Sequence, residues 1–426
     1  MSSRDISPDA PAEAPRHPPA VFLDRRTPPH IATLMLMAGL STLALNIFLP
    51  MLPAMVAHFD TEYGLIQLSL AVYLGVNAAL QLMIGPISDR LGRRPVILTG
   101  LAIFLLATLG CIFASNVWVF LFFRMVQAFI VAAMVLSRAV VRDMVPEREA
   151  ASMIGYVTMG MAVVPMIGPA IGGALGEAFG WQASFWALFG LGILVFALTW
   201  ADLGETAPLE GNSFRDQVRE YPELLTSPRF WGYSLASALS SGAFFAYLGG
   251  APFVGDQVFG MEPAELGLYF GAPAIGYFTG NFLSGRYSVR VGVNPMVMMG
   301  TVVNAAGIAT NLALFYAGLG TPLTFFGLMT LMGLGNGMTI PNATAGALSV
   351  RPKLAGTASG LAGALMIGGG AALSALAGAL LGPGTGAFPL LWIMLATAVL
   401  GIVAIALVIR RERRLARERP VLHGDS

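Results

Sequence analysis

A single arginine stands deep in an apolar run, in the order Phe122-Phe123-Arg124-Met125-Val126-Gln127. Helical rise puts Arg124 about two turns, roughly 10 Å, inside the outer end of its predicted helix, with Gln127 one turn further on. A guanidinium in hydrocarbon is costly and usually faces a polar cavity; the alternative is an arginine that caps backbone carbonyls of a neighbouring helix. Other polar side chains in apolar runs are amides and phenols: Asn46 beside Phe48, then Tyr73, Asn77 and Gln81 at four-residue spacing. The second half offers Phe244, Tyr247, Tyr277, Asn281 and Asn336. Aromatics with scattered amides suit a cavity for amphipathic organic molecules, although each of these side chains, taken singly, fits helix packing as well. None of the 23 acidic residues falls mid-run. The cavity therefore has no evident cation selector, and neutral or zwitterionic substrates fit it better than lipophilic cations.

Catalytic and metal chemistry lack their usual parts. There is one cysteine, Cys111, and only four histidines, of which His17 and His423 lie in the tails. A disulfide framework, a multi-cysteine or histidine metal site and a nucleophile constellation are all excluded. The chain is expected to be neither an enzyme nor dependent on a cofactor. Its net charge of +1 provides no field for nucleic acid.

The elements that must position these residues are membrane helices. Hydrophobic residues make up 56% of the chain, charged residues only 11%, and mean hydropathy is +0.73; a soluble domain carries about a quarter charged residues. Apolar stretches long enough to span a bilayer are read at 31–53, 65–86, 96–115, 117–141, 152–176 and 183–201, then at 230–254, 265–287, 295–317, 321–344, 355–380 and 387–409. These are spans 1 to 12. Residues 1–29 read as a disordered cytoplasmic tail without a cleavable signal peptide, 30–201 as an N-terminal six-helix bundle, 202–229 as a cytoplasmic linker, 230–410 as a C-terminal six-helix bundle and 411–426 as a basic tail. The linker is a solvated connection or holds a short amphipathic surface helix. With both termini in the cytoplasm, loops 54–64, 177–182, 254–264, 318–320 and 381–386 face out and contain no Lys or Arg. The inward segments carry Arg90, Arg93, Arg94, Arg142, Arg286, Arg290 and Arg351, a positive-inside pattern.

The halves repeat. Gly85-Pro86-Ile87-Ser88-Asp89-Arg90-Leu91-Gly92-Arg93-Arg94-Pro95 is echoed by Gly285-Arg286-Tyr287-Ser288-Val289-Arg290-Val291-Gly292-Val293-Asn294-Pro295, with Gly, Ser, Arg, Gly and Pro in register. Repeated halves are a transporter architecture. Gly85 and Gly92 are expected to turn the backbone at the membrane face.

The 85–95 segment resembles the signature loop of the major facilitator superfamily, G-x-x-x-D-R-x-G-R-R. The resemblance implies an all-α membrane protein of twelve transmembrane helices in two pseudo-symmetric six-helix bundles. It also implies that Gly85, Asp89, Arg90, Gly92, Arg93 and Arg94 form a gating loop in which the aspartate clasps the halves in the outward-facing state; a topogenic basic loop is the alternative. Val289 replaces the aspartate in the second copy, so a clasp there should be weaker. Arg124 and Gln127 match the R-x-x-Q pattern of helix 4. Gly160, Pro165, Gly168, Pro169, Gly172 and Gly173 on span 5 resemble the antiporter motif of the exporter branch, G-x(7)-G-P-x-x-G-G; ordinary small-residue packing is the alternative. Arg138, Arg142 and Asp143 resemble the helix-4 ending of bicyclomycin and chloramphenicol resistance exporters, or serve as a plain cytoplasmic anchor.

Where those exporters carry a helix-1 aspartate, this chain has Asn46, which hydrogen-bonds but does not titrate. The expectation is a monomeric exporter of small amphipathic molecules in the bacterial inner membrane, working by alternating access and coupled to protons despite Asn46. An uncoupled facilitator or metabolite carrier of the same fold is the alternative.

Overall fold

The computed structural model describes residues 20–145, 147–207, 222, 224–351 and 354–418. Helices occupy all twelve predicted positions. Span 1 is broken into Ile31–Asn46, a tight turn Leu49–Met51 and Leu52–Phe59. Spans 2 and 3 are Tyr63–Leu91 and Arg93–Ile112, and span 4 is Val117–Gln127 continued through Ala128–Ile130 into Val131–Met144. Spans 5 and 6 are Glu147–Phe179 and Gln182–Asp202. In the second half, span 7 is Pro228–Phe253 with a widened turn Val254–Val258, and span 8 is Pro263–Tyr269 followed by Ala272–Val291. Spans 9 to 12 are Val293–Tyr316, Pro322–Ser349, Ala355–Leu380 and Phe388–Glu418. Among the described residues, nine helices are long and apolar enough to cross a membrane by length and composition alone. Span 7 falls short because it packs against protein and so tolerates the buried Ser234, Ser237, Ser240 and Ser241.

Two predicted loops are mostly helix. The 54–64 loop continues span 1 to Phe59, with Met55 buried, and ends at Asp60 in a left-handed conformation of φ 48°. The 85–95 loop is helical to Leu91 and resumes at Arg93, leaving one break at Gly92, φ +94° and ψ 151°. Gly85 is therefore a helical residue and turns nothing; a β-carbon placed on it would meet open space. The repeat reproduces this geometry at Gly292, φ +94° and ψ 156°. A positive φ is costly for any residue with a β-carbon, which explains why this glycine recurs in both halves.

The exterior is apolar. Leu106, Ile193, Leu194, Leu400 and Leu407 are exposed, as lipid-facing side chains must be. Both described chain ends lie on one face, called here the terminal face; the other is the far face. At the terminal face acids at the ends of the sixth helices tie each half together. The buried Asp202 carboxylate accepts hydrogen bonds from Leu23 N (2.6 Å), His30 N (2.8 Å) and Thr33 Oγ1 (2.6 Å), fastening span 6 to the start of span 1. Glu205 accepts from Arg93 N at 2.8 Å and Arg94 N at 3.3 Å, capping span 3, whose first amides have no helical partner. Glu412 serves both tasks in the second half: it pairs with Arg229 at 2.7 Å at the start of span 7 and accepts from Asn294 at 2.5 Å at the start of span 9.

Candidate functional site

Arg124 is completely buried where two helices depart from α geometry. Span 1 stops at Asn46, so carbonyls of its last turn lack helical donors. Span 4 tightens at Ala128–Ile130, and Ser41 of span 1 donates to the Ile130 carbonyl at 2.9 Å. Arg124 Nη1 donates to Ala44 O at 3.3 Å and to Gln127 Oε1. Gln127 Nε2 passes the chain to Thr108 Oγ1 of span 3 at 2.8 Å, and Thr108 donates to Phe104 O at 2.7 Å. The guanidinium carbon lies 4.4 Å from the Phe48 ring centre and 4.5 Å from that of Tyr73. Two aromatic faces thus shield a cation that also caps the end of a helix.

The carbonyl-capping role is real and leaves capacity unused. Arg124 Nε and Nη2, the Tyr73 hydroxyl and Asn46 Oδ1 are buried without partners; the Asn46 amide nitrogen donates to Thr42 O at 2.9 Å. Among the described residues no carboxylate pairs with Arg124. From this point a polar stripe runs down span 2 toward the terminal face. Exposure rises from 1% at Tyr73 to 8% at Asn77 and reaches half-burial at Gln81, whose amide donates to Asn77 at 2.8 Å. Gln81 sits opposite Gly363 of span 11, where a β-carbon would meet its side chain at 3.4 Å.

The seam between the halves is tighter at the far face. Gln67 Nε2 donates to Ser374 Oγ at 2.6 Å, Tyr63 Oη donates to Gly249 O at 2.7 Å, and Ala264 N donates to Glu177 at 3.1 Å. A β-carbon on Gly64 would lie 3.0 Å from Gly378 O, whereas one on Gly368, deeper in the seam, would lie 3.7 Å from Ala78. The span-5 glycines and prolines form two ridges. Gly168, Gly172 and Gly176 face Leu43, Ile47 and Met51 of span 1, while Pro169 and Gly173 face Gly267 and Pro263 of span 8. Pro165 is half-buried within the helix. Gly160 lies in the same helix, and its surroundings are outside the described residues.

The other predicted residues are more scattered. Arg93 is the hub of the signature segment: it pairs with Asp89 and, at 3.0 Å, with Asp143 at the end of span 4. Arg94 donates to Trp200 O at 3.0 Å. Asp89 is thus engaged within its own half here. Arg90, Arg138 and Arg142 are exposed. Asn281 donates to Tyr277 O at 2.8 Å. Phe244 stacks on Tyr247, which is buried with its hydroxyl donating to Phe270 O at 3.4 Å. Asn336 accepts from Ser240 at 2.6 Å and from Asn304 at 3.2 Å, a knot joining spans 7, 10 and 9. Tyr63, Thr108, Asp202, Glu205, Ser374 and Glu412 carry contacts that the sequence did not single out, because each lies at a helix end or depends on a partner distant in sequence.

Two overlapping stretches, 34–375 and 256–424, match the Major Facilitator Superfamily. The chain belongs to the Major Facilitator Superfamily. It is therefore a multi-pass membrane transporter of small molecules and not an enzyme. This superfamily member is 31% identical over 379 residues to the MFS-type transporter YdgK of Bacillus subtilis, covering 87% of this chain and 92% of the relative. It is 32% identical over 383 residues to a chloramphenicol resistance protein of Pseudomonas aeruginosa, covering 87% and 88%. Its fold matches the crystal structure of a bacterial homologue of the human lysosomal transporter Spinster, with TM-score 0.70 and 20% identity over 92% of this chain and 98% of that one.

Proposed function

We propose that this transporter exports small amphipathic molecules of the phenicol or bicyclomycin kind from the cytoplasm by alternating access. The observation that carries the reading is the Arg124 cluster. Its unpartnered polar groups lie below a seam tightened at the far face, with a polar stripe leading to the terminal face. We take the terminal face as cytoplasmic, because Arg90, Arg142, Arg286, Arg290 and Arg351 lie on that side. The moving bodies are 30–201 and 230–410, joined by 202–229, in one monomer embedded in the bacterial inner membrane. The two span-5 ridges suit a hinge between them, and Asp89 would exchange Arg93 for a partner in the other half when the terminal face closes. The name of the Pseudomonas aeruginosa relative supports the substrate class.

Uncoupled facilitation is a second reading, favoured by Asn46, which cannot carry a proton. The test is drug susceptibility of an efflux-deficient bacterial host expressing wild type or Arg124→Ala at matched membrane levels, against phenicols, bicyclomycin, sulfonamides and lipophilic cations. Selective resistance that the variant loses supports export; no resistance to any compound overturns it.

A further inference from the structure

The hydrogen-bonding edge that Arg124 leaves unused narrows the substrate class, on the reading above that Arg124 stands at the transporter's substrate site. A guanidinium offers five donors in a rigid fork. Here Nη1 is committed to Ala44 O and Gln127 Oε1. Nε and Nη2 are buried and unpartnered; together they form the edge that grips a carboxylate through two parallel hydrogen bonds. Phe48 and Tyr73 lie close to the guanidinium carbon, at 4.4 and 4.5 Å from ring centre, and neither supplies a hydrogen-bond acceptor to the fork. The unpartnered atoms on the neighbouring spans, Tyr73 Oη and Asn46 Oδ1, are neutral. A buried cation with no counter-charge is costly, and aromatic faces offset only part of that cost.

We propose that this edge receives a pair of anionic oxygens from the substrate, and that the transported class includes amphipathic organic acids. The acid supplies the missing counter-charge, and the Tyr73 hydroxyl adds a third donor. Entry follows the stripe Gln81, Asn77, Tyr73 from the terminal face. The substrate's own charge then takes the place of a titrating side chain at position 46.

The test uses the purified full-length chain in lipid nanodiscs, with 4-phenylbutyrate and its uncharged amide as matched probes. Binding is read by thermal stabilisation and by calorimetry in chloride-free buffer. The acid should bind at least tenfold more tightly than the amide. Arg124→Lys, which keeps the charge and loses the fork, should weaken acid binding about tenfold or more. Asn46→Asp should do the same by placing a competing carboxylate within the protein, and it keeps the proposal testable if the Arg124 variants fail to fold. Equal affinity for acid and amide, or acid binding unchanged in both variants, would overturn the proposal. So would chloride or sulfate alone producing the same stabilisation, which would mark an inorganic anion site. Failure of the wild type to confer any drug resistance, with acid binding intact, would count against the export reading and leave this site standing.

Discussion

Gly172 and Gly173 are adjacent in sequence and pack in opposite directions: a β-carbon on the first would strike the Ile47 carbonyl of the same half, and one on the second the Pro263 carbonyl of the other half. The same helix thereby holds the break in span 1 in place and seals the far face. Overpacking typically costs about 1–3 kcal/mol, but the two alanine variants should distribute it differently. Gly172→Ala should lower the thermal stability of the N-terminal half and disturb the Arg124 cluster. Gly173→Ala should leave stability nearer to wild type and bias the protein toward an open far face, seen as faster labelling of a cysteine placed at Gln67. Identical effects of the two variants on labelling would contradict the two-ridge account.

Gln67 and Ser374 meet at 2.6 Å across the seam. Replacing both with cysteine should allow a disulfide that locks the far face. The native Cys111 is buried and should not interfere. Oxidation should reduce transport to background, and reductant should restore it; transport that persists through complete cross-linking would show that this contact need not open.

Asp202 accepts three hydrogen bonds from the segment that begins span 1. Hydrogen bonds to a charged group are worth roughly 1.5–3 kcal/mol each, and an amide keeps only one acceptor atom. Asp202→Asn should therefore lower the unfolding temperature measurably, by a loss on the order of 2 kcal/mol, while the protein still inserts. An unchanged melting profile would show that the clamp contributes little.

Asn46 does not titrate. Asn46→Asp should introduce or strengthen a pH dependence of transport, measured as substrate flux in vesicles across the range of about pH 5.5 to 8 in which buried carboxylates titrate. Parallel profiles for the two proteins would remove position 46 from any account of coupling.

Much of this architecture was legible in the chain. The apolar runs and the repeated Gly92 and Gly292 located all twelve helices, because lipid demands long uninterrupted apolar stretches and a positive φ demands glycine. Arg124 stood out for the same reason, being a charge where charge is costly. What the sequence concealed depends on contacts between distant residues. Nothing local to Asn336 shows that Ser240 and Asn304 occupy it. Nothing local to Asp202 distinguishes a buried clamp from a solvated linker acid, and Gly85 looked like a turn residue until the helix was seen to run through it. The two ridges on span 5 were present as a motif, but their partners, Ile47 and Pro263, come from different halves and only the fold brings them there.

The most direct test is accumulation of labelled chloramphenicol in inside-out membrane vesicles under an imposed pH gradient, with wild type and Arg124→Ala at equal abundance. The account predicts accumulation above equilibrium by wild type and at least a tenfold slower rate in the variant, whose guanidinium would no longer bridge Ala44 O, Gln127 and the substrate. Equal rates for the two proteins, or no transport by wild type, would contradict it.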